Sequence, residues 1–295
     1  MESRDRTPRS LAGNGRPWVT LAFIAACVGI FLSTVTGPDA GSMVSLERFG
    51  VLSPRQIRAG AYYSLFASVL VHVEIWHIGM NMYVLWLLGK VLEPAIGSLK
   101  YLAFIVVAAF ASSIGQFALG EDQGIGASGV VFAIFGFMWV ARPYNAGFQS
   151  IVHDRNVKWI VGWLFACIPL TYFGIMPIAN GAHFGGILFG MGVAALLVRR
   201  FRPALVATGL VLLLALPSVT LFWCPWSLIW LADEAYAEHS AGNYEEALRR
   251  YAQVIERDPR NGWAYANRSA LYRAMGENEA ADRDLERAET LGEIR

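Results

Sequence analysis

Long apolar stretches without charged residues are the feature of this sequence that most restricts its fold. They fill most of the chain between Trp18 and Trp230, whereas most of the acidic residues come after Trp230. Apolar side chains make up 55% of the 295 residues and charged side chains only 16%, a balance unlike that of ordinary soluble proteins. An apolar stretch of about 17–25 residues is long enough to cross a bilayer as a helix. The sequence therefore predicts an all-α, polytopic bundle of membrane helices with a more polar C-terminal region.

Seven such stretches are predicted to span the membrane. We expect the second and the fourth to be short and to end below the membrane surface, beside a water-filled cavity. No Asp or Glu is expected inside the spans near the residues that carry chemistry. The seven predicted spans are 18–36, 76–91, 99–119, 128–143, 157–175, 180–198 and 203–223.

The distribution of arginine and lysine predicts the orientation of these spans, because loops rich in both residues stay in the cytoplasm. The arginines before the first span predict a cytoplasmic N-terminus: Arg4, Arg6, Arg9 and Arg16. Seven crossings then place the C-terminal region outside the cytoplasm, provided that Pro217 does not shorten the last span. The leader does not resemble a cleaved signal or a transit peptide, and the bacterial plasma (inner) membrane is the expected location.

Four regions follow from this reading. They are a basic N-terminus (1–16), a six-helix core (17–200), a seventh span with an interfacial linker (201–230) and a helical repeat region (231–295).

The C-terminal region contains two segments that align with a period of 34 residues. Gly242 aligns with Gly276 and Ala235 with Ser269, and Pro259 closes the first segment. This pattern resembles a tetratricopeptide repeat, although three or more repeats usually form a stable stack. Two interpretations remain open, a docking module for a peptide or protein ligand and a cap that only stabilises the chain.

A serine and a histidine stand at the outer ends of two predicted spans. Ser128 begins the fourth span and His183 lies near the start of the sixth, and both spans run inward from the outside. The two side chains are therefore expected at similar depth, where a nucleophile and its base can meet. His183 is predicted to take the proton from Ser128 and to return it to the leaving amine. Without a nearby acid, the site is a dyad rather than a triad.

Glycines surround both residues. Gly126 and Gly129 flank the serine, and Gly186 lies on the sixth span with small residues at helical spacing. Small residues allow two helix backbones to approach closely, which a short serine side chain needs in order to reach an imidazole. The alternative is that these glycines are only packing contacts.

Two further polar residues share one face of the second span. His77 and Asn81 are four residues apart, and such pairs are neighbours on a helix. With the backbone N–H of Ser128, they are candidate donors to the oxyanion that forms when Ser128 attacks a carbonyl. The alternative is hydrogen bonding between helices for packing alone. We expect a structural rather than a catalytic role for His72.

Together, these motifs resemble those of the rhomboid intramembrane serine proteases: His72-x4-His77-x3-Asn81, Gly126-x-Ser128-Gly129 and Ala182-His183-x2-Gly186. The resemblance implies a six-helix core whose dyad lies in a water-accessible cavity. It also implies that Phe132 stacks on the histidine. The implied substrates are single-span membrane proteins, cleaved in or near the span and admitted beside the fifth helix. One departure is that Tyr63-Ser64 stand where the family often has Trp-Arg in its first loop.

Two other functional classes compete with a protease. A catalytically silent, rhomboid-like adaptor or scaffold would bind membrane clients through the core and the repeat tail. A transporter or channel would use the polar residues as a path, but the spans are expected to lack acids. The formal net charge of +1 suggests no nucleic-acid partner. The spacing of Cys27, Cys167 and Cys224 suggests neither a metal nor a disulfide framework, and no cofactor is expected.

Overall fold

The structure, a computed structural model, describes residues 15–37, 39–40, 42–119, 123–199 and 201–292. Most of the predicted basic N-terminus, including Arg4, Arg6 and Arg9, lies outside these residues. Within the described ranges the chain forms helices and turns and no strand, so the expected all-α class is confirmed. The chain divides into two compact units, residues 1–221 and 222–295, which we call the bundle and the C-terminal unit.

The bundle consists of long apolar helices joined by short ones. In chain order its α-helices are α1 (Trp18–Thr36), α2 (Met43–Arg48), α3 (Pro54–Arg58), α4 (Ser64–Ala67), α5 (Ile75–Ile96), α6 (Ser98–Phe117), α7 (Ser128–Ala141), α8 (Ala146–Ile151), α9 (Asp154–Tyr172), α10 (Asn180–Leu197) and α11 (Pro203–Ser218). A 3-10 turn extends α7 through Tyr144, and another continues from α11 to Leu221.

Among the described residues, five helical segments are long and apolar enough to cross a membrane: α1, α5, α6, α10 and Pro203–Leu221. The segment Ser128–Tyr144 is apolar but shorter. Helix α9 has the length of a span but carries Asp154, Arg155 and Lys158 in its first turns. The five apolar segments make this a multi-pass membrane protein.

One expectation about the spans is wrong. The second span was predicted to be short, yet α5 has 22 residues and continues through Pro94 to Ile96. The extension brings Glu93 into the helix, where its side chain is fully buried. The spans therefore do contain an acid, although it lies four turns along α5 from His77.

Hydrogen bonds explain how the bundle accommodates this carboxylate. Glu93 accepts bonds from the backbone amides of Val19 and Thr20 at 2.9 and 2.8 Å. The hydroxyls of Thr20 and Ser98 donate two more, at 2.8 and 2.7 Å. A buried carboxylate is tolerated when such donors replace water. Because the first amides of a helix lack partners within it, Glu93 also caps α1 and ties it to α5.

The centre of the bundle depends on close contact between helix backbones. A Cβ atom built on Gly186 of α10 would lie 2.1 Å from the carbonyl oxygen of Gly129 in α7. One built on Gly190 would lie 1.9 Å from the carbonyl oxygen of Ala133. Only glycine fits at these positions, since real Cβ atoms never come so near. Helices α7 and α10, which carry Ser128 and His183, are therefore in direct backbone contact.

The C-terminal unit contains four helices that pack in consecutive pairs: α12 (Leu228–Ser240), α13 (Tyr244–Arg257), α14 (Gly262–Ala274) and α15 (Asn278–Thr290). The second pair repeats the first with a shift of 34 residues in each helix start. Gly242 and Gly276 take φ values of +82° and +83° in the two corresponding turns. This left-handed conformation favours glycine. The predicted period thus corresponds to a repeat of structure, while its assignment as a tetratricopeptide repeat stays a prediction.

Candidate active site

The structure brings the predicted serine and histidine together. Ser128 is the first residue of α7, and its Oγ lies 2.8 Å from Nε2 of His183 in the first turn of α10. His183 is buried, and its other ring nitrogen, Nδ1, has no partner among the described residues. A neutral imidazole that accepts at Nε2 carries its hydrogen on Nδ1. The arrangement suits proton transfer from the hydroxyl, and no third side chain among the described residues forms a hydrogen bond with the ring.

An aromatic ring packs against the imidazole. Phe132 lies one turn after Ser128 on α7, and its ring centroid is 4.6 Å from that of His183, at an interplanar angle of 40°. Ring contacts of this kind hold the imidazole in one orientation. The position of Phe132 is the one that the sequence resemblance implied.

The glycines beside Ser128 permit two different close approaches. Gly126 has a φ of +100°, and a Cβ there would lie 2.6 Å from Cε1 of His77. A Cβ on Gly129 would lie 2.5 Å from Oγ of Ser112 on α6. Gly126 thus makes room for the His77 ring, while Gly129 and Gly186 bring the helices of the serine and histidine together.

The three predicted oxyanion donors lie in or beside the same cavity wall. His77 is half-buried in the first turn of α5, and its ring makes no hydrogen bond with the described residues. Asn81 is buried one turn later, with Nδ2 3.2 Å from Nε2 of His72. Its amide has two hydrogens, so one remains for a ligand. The N–H of Ser128 belongs to the first turn of α7, where amides have no partner within the helix.

His72 makes contacts that sequence reasoning did not predict. Its Nδ1 lies 3.3 Å from the carbonyl oxygen of Leu70, and its Nε2 accepts a bond from the amide of Ala127 at 3.2 Å. The same Nε2 faces Asn81. Burial, with His77 nearby, lowers the pKa of His72 to about 4, so the ring is neutral and can accept. His72 thereby joins a candidate oxyanion donor to the residue before Ser128, a link that no local spacing rule reveals.

The first loop is anchored through the side chain of Ser64. The Ser64 hydroxyl lies 2.6 Å from the carbonyl oxygen of Gly50 and 2.7 Å from Oε1 of Gln123. Nε2 of Gln123 donates to the carbonyl oxygen of Leu52. The amide of Gly126 donates to the carbonyl oxygen of Ser68 at 3.0 Å. Neutral hydrogen bonds therefore connect this loop to the segment that leads into Ser128.

A cavity of about 900 Å³ lies beside these residues. Ser128 and His183 are in its wall, together with His77 and Asn81. The cavity continues between α5 and α9, past apolar side chains that include Leu88 and Trp163. Most side chains of α9 are not covered by the rest of the protein, and only Leu164 and Cys167 of this helix are buried. The reactive pair is thus open to an elongated space between two helices.

Metal-ligating side chains and thiols are the other groups of chemical interest. No group of three or more His, Cys, Asp or Glu side chains there is placed to hold a metal ion. Cys27, Cys167 and Cys224 are buried free thiols.

A serine–histidine pair beside a cavity in a bundle of apolar helices defines a class, multi-pass membrane proteins with a candidate serine-hydrolase site. Residues 59–200 match the family of the Rhomboid domain. This match contains the serine and the histidine together with His72, His77 and Asn81.

Curated relatives agree with the domain match. The chain is 28% identical over 258 residues to Rhomboid protease GluP of Bacillus subtilis (strain 168), covering 83% of this chain and 49% of that protein. It is 28% identical over 176 residues to Rhomboid protease GlpG of Enterobacter sp. (strain 638), covering 59% and 61%. It is 33% identical over 184 residues to Rhomboid protease GlpG of Salmonella choleraesuis (strain SC-B67), covering 60% of this chain and 62% of that protein. The chain thus spans about half to three fifths of these relatives, and the similarities support the rhomboid family.

Proposed function

We propose that this protein is an intramembrane serine endopeptidase that cleaves single-span membrane proteins in or near their membrane segment. The observation that carries the proposal is the 2.8 Å contact between Oγ of Ser128 and Nε2 of His183 inside an apolar bundle. Polar side chains are rare among membrane helices and mark functional sites there. The relatives named rhomboid protease support the same activity.

In the first half of the reaction, His183 acts as the base. Nε2 takes the hydroxyl proton while Oγ of Ser128 forms a bond to the scissile carbonyl carbon. The resulting oxyanion accepts hydrogen bonds from the Ser128 amide and from the side chains of His77 and Asn81. Each such donor contributes about 3 kcal/mol of transition-state stabilisation. His183 then gives its proton to the leaving amine as the C–N bond breaks, which leaves an acyl-enzyme on Ser128.

The second half repeats the proton transfers with water. His183 takes a proton from a water molecule in the cavity, and the hydroxide oxygen attacks the ester carbonyl. The proton returns to Oγ of Ser128 when the ester bond breaks, and the acid product leaves. Phe132 holds the imidazole in place through both halves.

The substrate enters from the side. The cavity has polar walls beside Ser128 and apolar walls between α5 and α9, a combination that fits a membrane segment with an unwound, hydrated end. Helix α9, with few buried residues, is the element that moves aside for it. Mobile elements have few buried apolar contacts.

The C-terminal unit is proposed to dock the substrate or a partner protein. Its paired helices resemble repeats that bind peptides, and the proposed topology places it outside the cytoplasm of a bacterial plasma membrane, with the N-terminus inside. Deletion of residues 232–295 should slow cleavage of a native substrate more than cleavage of a generic reporter helix. Equal slowing of both would favour a merely stabilising role.

The activity is tested with purified protein in liposomes and a reporter membrane helix. The parent should cleave the reporter, and Ser128→Ala and His183→Ala should each lose cleavage. Ser218→Ala is a matched control, because Ser218 is a partly buried serine of α11 outside the cavity. Cleavage that survives Ser128→Ala would refute the mechanism. A parent that binds reporters without cleaving any of them would identify a silent adaptor.

A further inference from the structure

Glu74 is the one charged side chain among the described residues that line the cavity. The other lining residues are apolar or neutral polar groups and the histidines His77 and His183. Glu74 is exposed, and its carboxylate forms no hydrogen bond or ion pair with the described residues. A carboxylate thus faces the substrate space without a cation beside it.

Helix capping does not account for this residue. Glu74 occupies the N-cap position of α5, where a side chain often accepts a bond from the helix amides. Its carboxylate accepts none. A hydrogen-bonded cap at the start of α5 therefore does not account for this carboxylate.

The location of Glu74 is next to the reactive groups. It lies three residues before His77 and within electrostatic range of that imidazole. Leu88 lies fourteen residues further along α5, about 20 Å deeper at the helical rise per residue. The cavity is consequently negative at the end near His77 and apolar at the other end.

We propose that Glu74 selects substrates that carry lysine or arginine on the outward side of the scissile bond. A negative group between low-dielectric walls concentrates its field in the space between them. The unwound end of a substrate's membrane segment brings a cationic side chain into the cavity, where that side chain pairs with Glu74. The apolar part of the same segment lies between α5 and α9. This inference rests on the proposed endopeptidase activity and adds a preference in substrate charge.

The test uses the full-length protein in liposomes and three matched reporter helices. The first reporter carries glutamine at the four positions on the outward side of the scissile bond, which mass spectrometry locates. In the other two reporters, lysine or glutamate replaces glutamine at one of these four positions at a time. The parent should show a kcat/KM about fivefold higher for lysine than for glutamine at one or more positions, and lower for glutamate. Glu74→Gln should remove this ratio and Glu74→Lys should invert it.

The charge ratio also needs a control for nonspecific electrostatics. Glu47 of α2 is an exposed acid of the same loop that does not line the cavity, so Glu47→Gln should keep the parent's ratio. The ratio should shrink as salt is raised, because exposed charges are screened. Each ratio is measured on one preparation, so it does not depend on the folded fraction.

Two results would overturn the inference alone. They are equal kcat/KM for the three reporters at every position, and a lysine preference that persists in Glu74→Gln. In both cases the glutamine reporter, cut by the parent but not by Ser128→Ala, still upholds the endopeptidase. A parent that cuts no reporter overturns the activity and the inference together.

Discussion

The bundle and the C-terminal unit hold their helices together in opposite ways. In the bundle, α7 and α10 meet backbone to backbone at Gly129, Gly186 and Gly190. In the C-terminal unit, larger side chains such as Tyr251 and Leu271 fill the space between helices. In lipid, the hydrophobic effect does not drive apolar helices together, so their association depends on close packing. In water, the hydrophobic effect drives the burial of large apolar groups.

Buried carboxylates show the same contrast. Glu93 in the bundle is surrounded by amide and hydroxyl donors. In the C-terminal unit, Asp284 accepts two bonds from Arg268, at 2.6 and 2.9 Å, and this partner raises the pKa of the guanidinium. The bundle is thus sensitive to added volume and lost donors, and the C-terminal unit to lost charge.

The largest effect is expected from adding one methyl group between α7 and α10. Gly190→Ala places a Cβ against the carbonyl oxygen of Ala133, which forces the helices apart and destabilises the bundle by about 3 kcal/mol. Unfolding in detergent measures this loss. Gly209→Ala in α11 is the control, because nothing lies within 4 Å of its Cβ position. Equal stability of the two variants would show that the backbones are not in contact.

The next effect concerns the donors around Glu93. Glu93→Ala leaves the amide and hydroxyl of Thr20 without their acceptor, and unpaired buried groups of this kind reduce the free energy of unfolding by about 2 kcal/mol. The same detergent unfolding assay applies, with Glu47→Ala as an exposed control. If Glu93→Ala unfolds like its control, α1 does not depend on this carboxylate.

An effect of similar size is expected from the ion pair of the C-terminal unit. Asp284→Ala strands Arg268, whose side chain is 17% exposed, and should reduce stability by about 2 kcal/mol, less than for a fully buried pair. Limited proteolysis of the full-length protein follows this unit. Asp282→Ala breaks the exposed pair with Arg273 and should change almost nothing. Equal rates of proteolysis for Asp284→Ala and Asp282→Ala would contradict the claim that the C-terminal unit depends on its buried ion pair.

The smallest effect is a pH-dependent one at an exposed pair. A hydrogen bond from Arg249 lowers the pKa of Glu246 from 4.5 to about 2. A lowered carboxyl pKa stabilises the fold above the ordinary pKa, and this contribution is lost as pH falls toward 2. Glu246→Gln should therefore melt slightly earlier than the parent at pH 7 by circular dichroism, and the gap should narrow below pH 4.5. A difference in melting temperature that widens as pH falls would contradict this prediction.

Much of the site could be predicted because it depends on chain direction and spacing. Two spans that run in the same direction, one starting with Ser128 and the other close to His183, are expected to carry these residues at similar depth. The turn glycines Gly242 and Gly276 likewise reveal the repeat, since each marks a left-handed backbone position.

Contacts between distant segments could not be predicted in this way. The bonds of His72 to Ala127 and of Ser64 to Gln123 join positions more than fifty residues apart, and no local pattern encodes them. The end of α5 was placed too early because a charged residue such as Glu93 normally marks the end of a span. Here its partners on α1 and α6 satisfy it, which becomes visible only after the helices pack.

The central claim is that His183 activates Ser128, and a fluorophosphonate probe tests it most directly. Such probes form a covalent bond with an activated serine oxygen, and mass spectrometry identifies the modified residue. We predict labelling of the parent at Ser128 and a labelling rate at least about 100-fold lower in His183→Ala, the usual contribution of a general base. Equal labelling rates in the two proteins, or modification of another serine such as Ser112, would contradict the account.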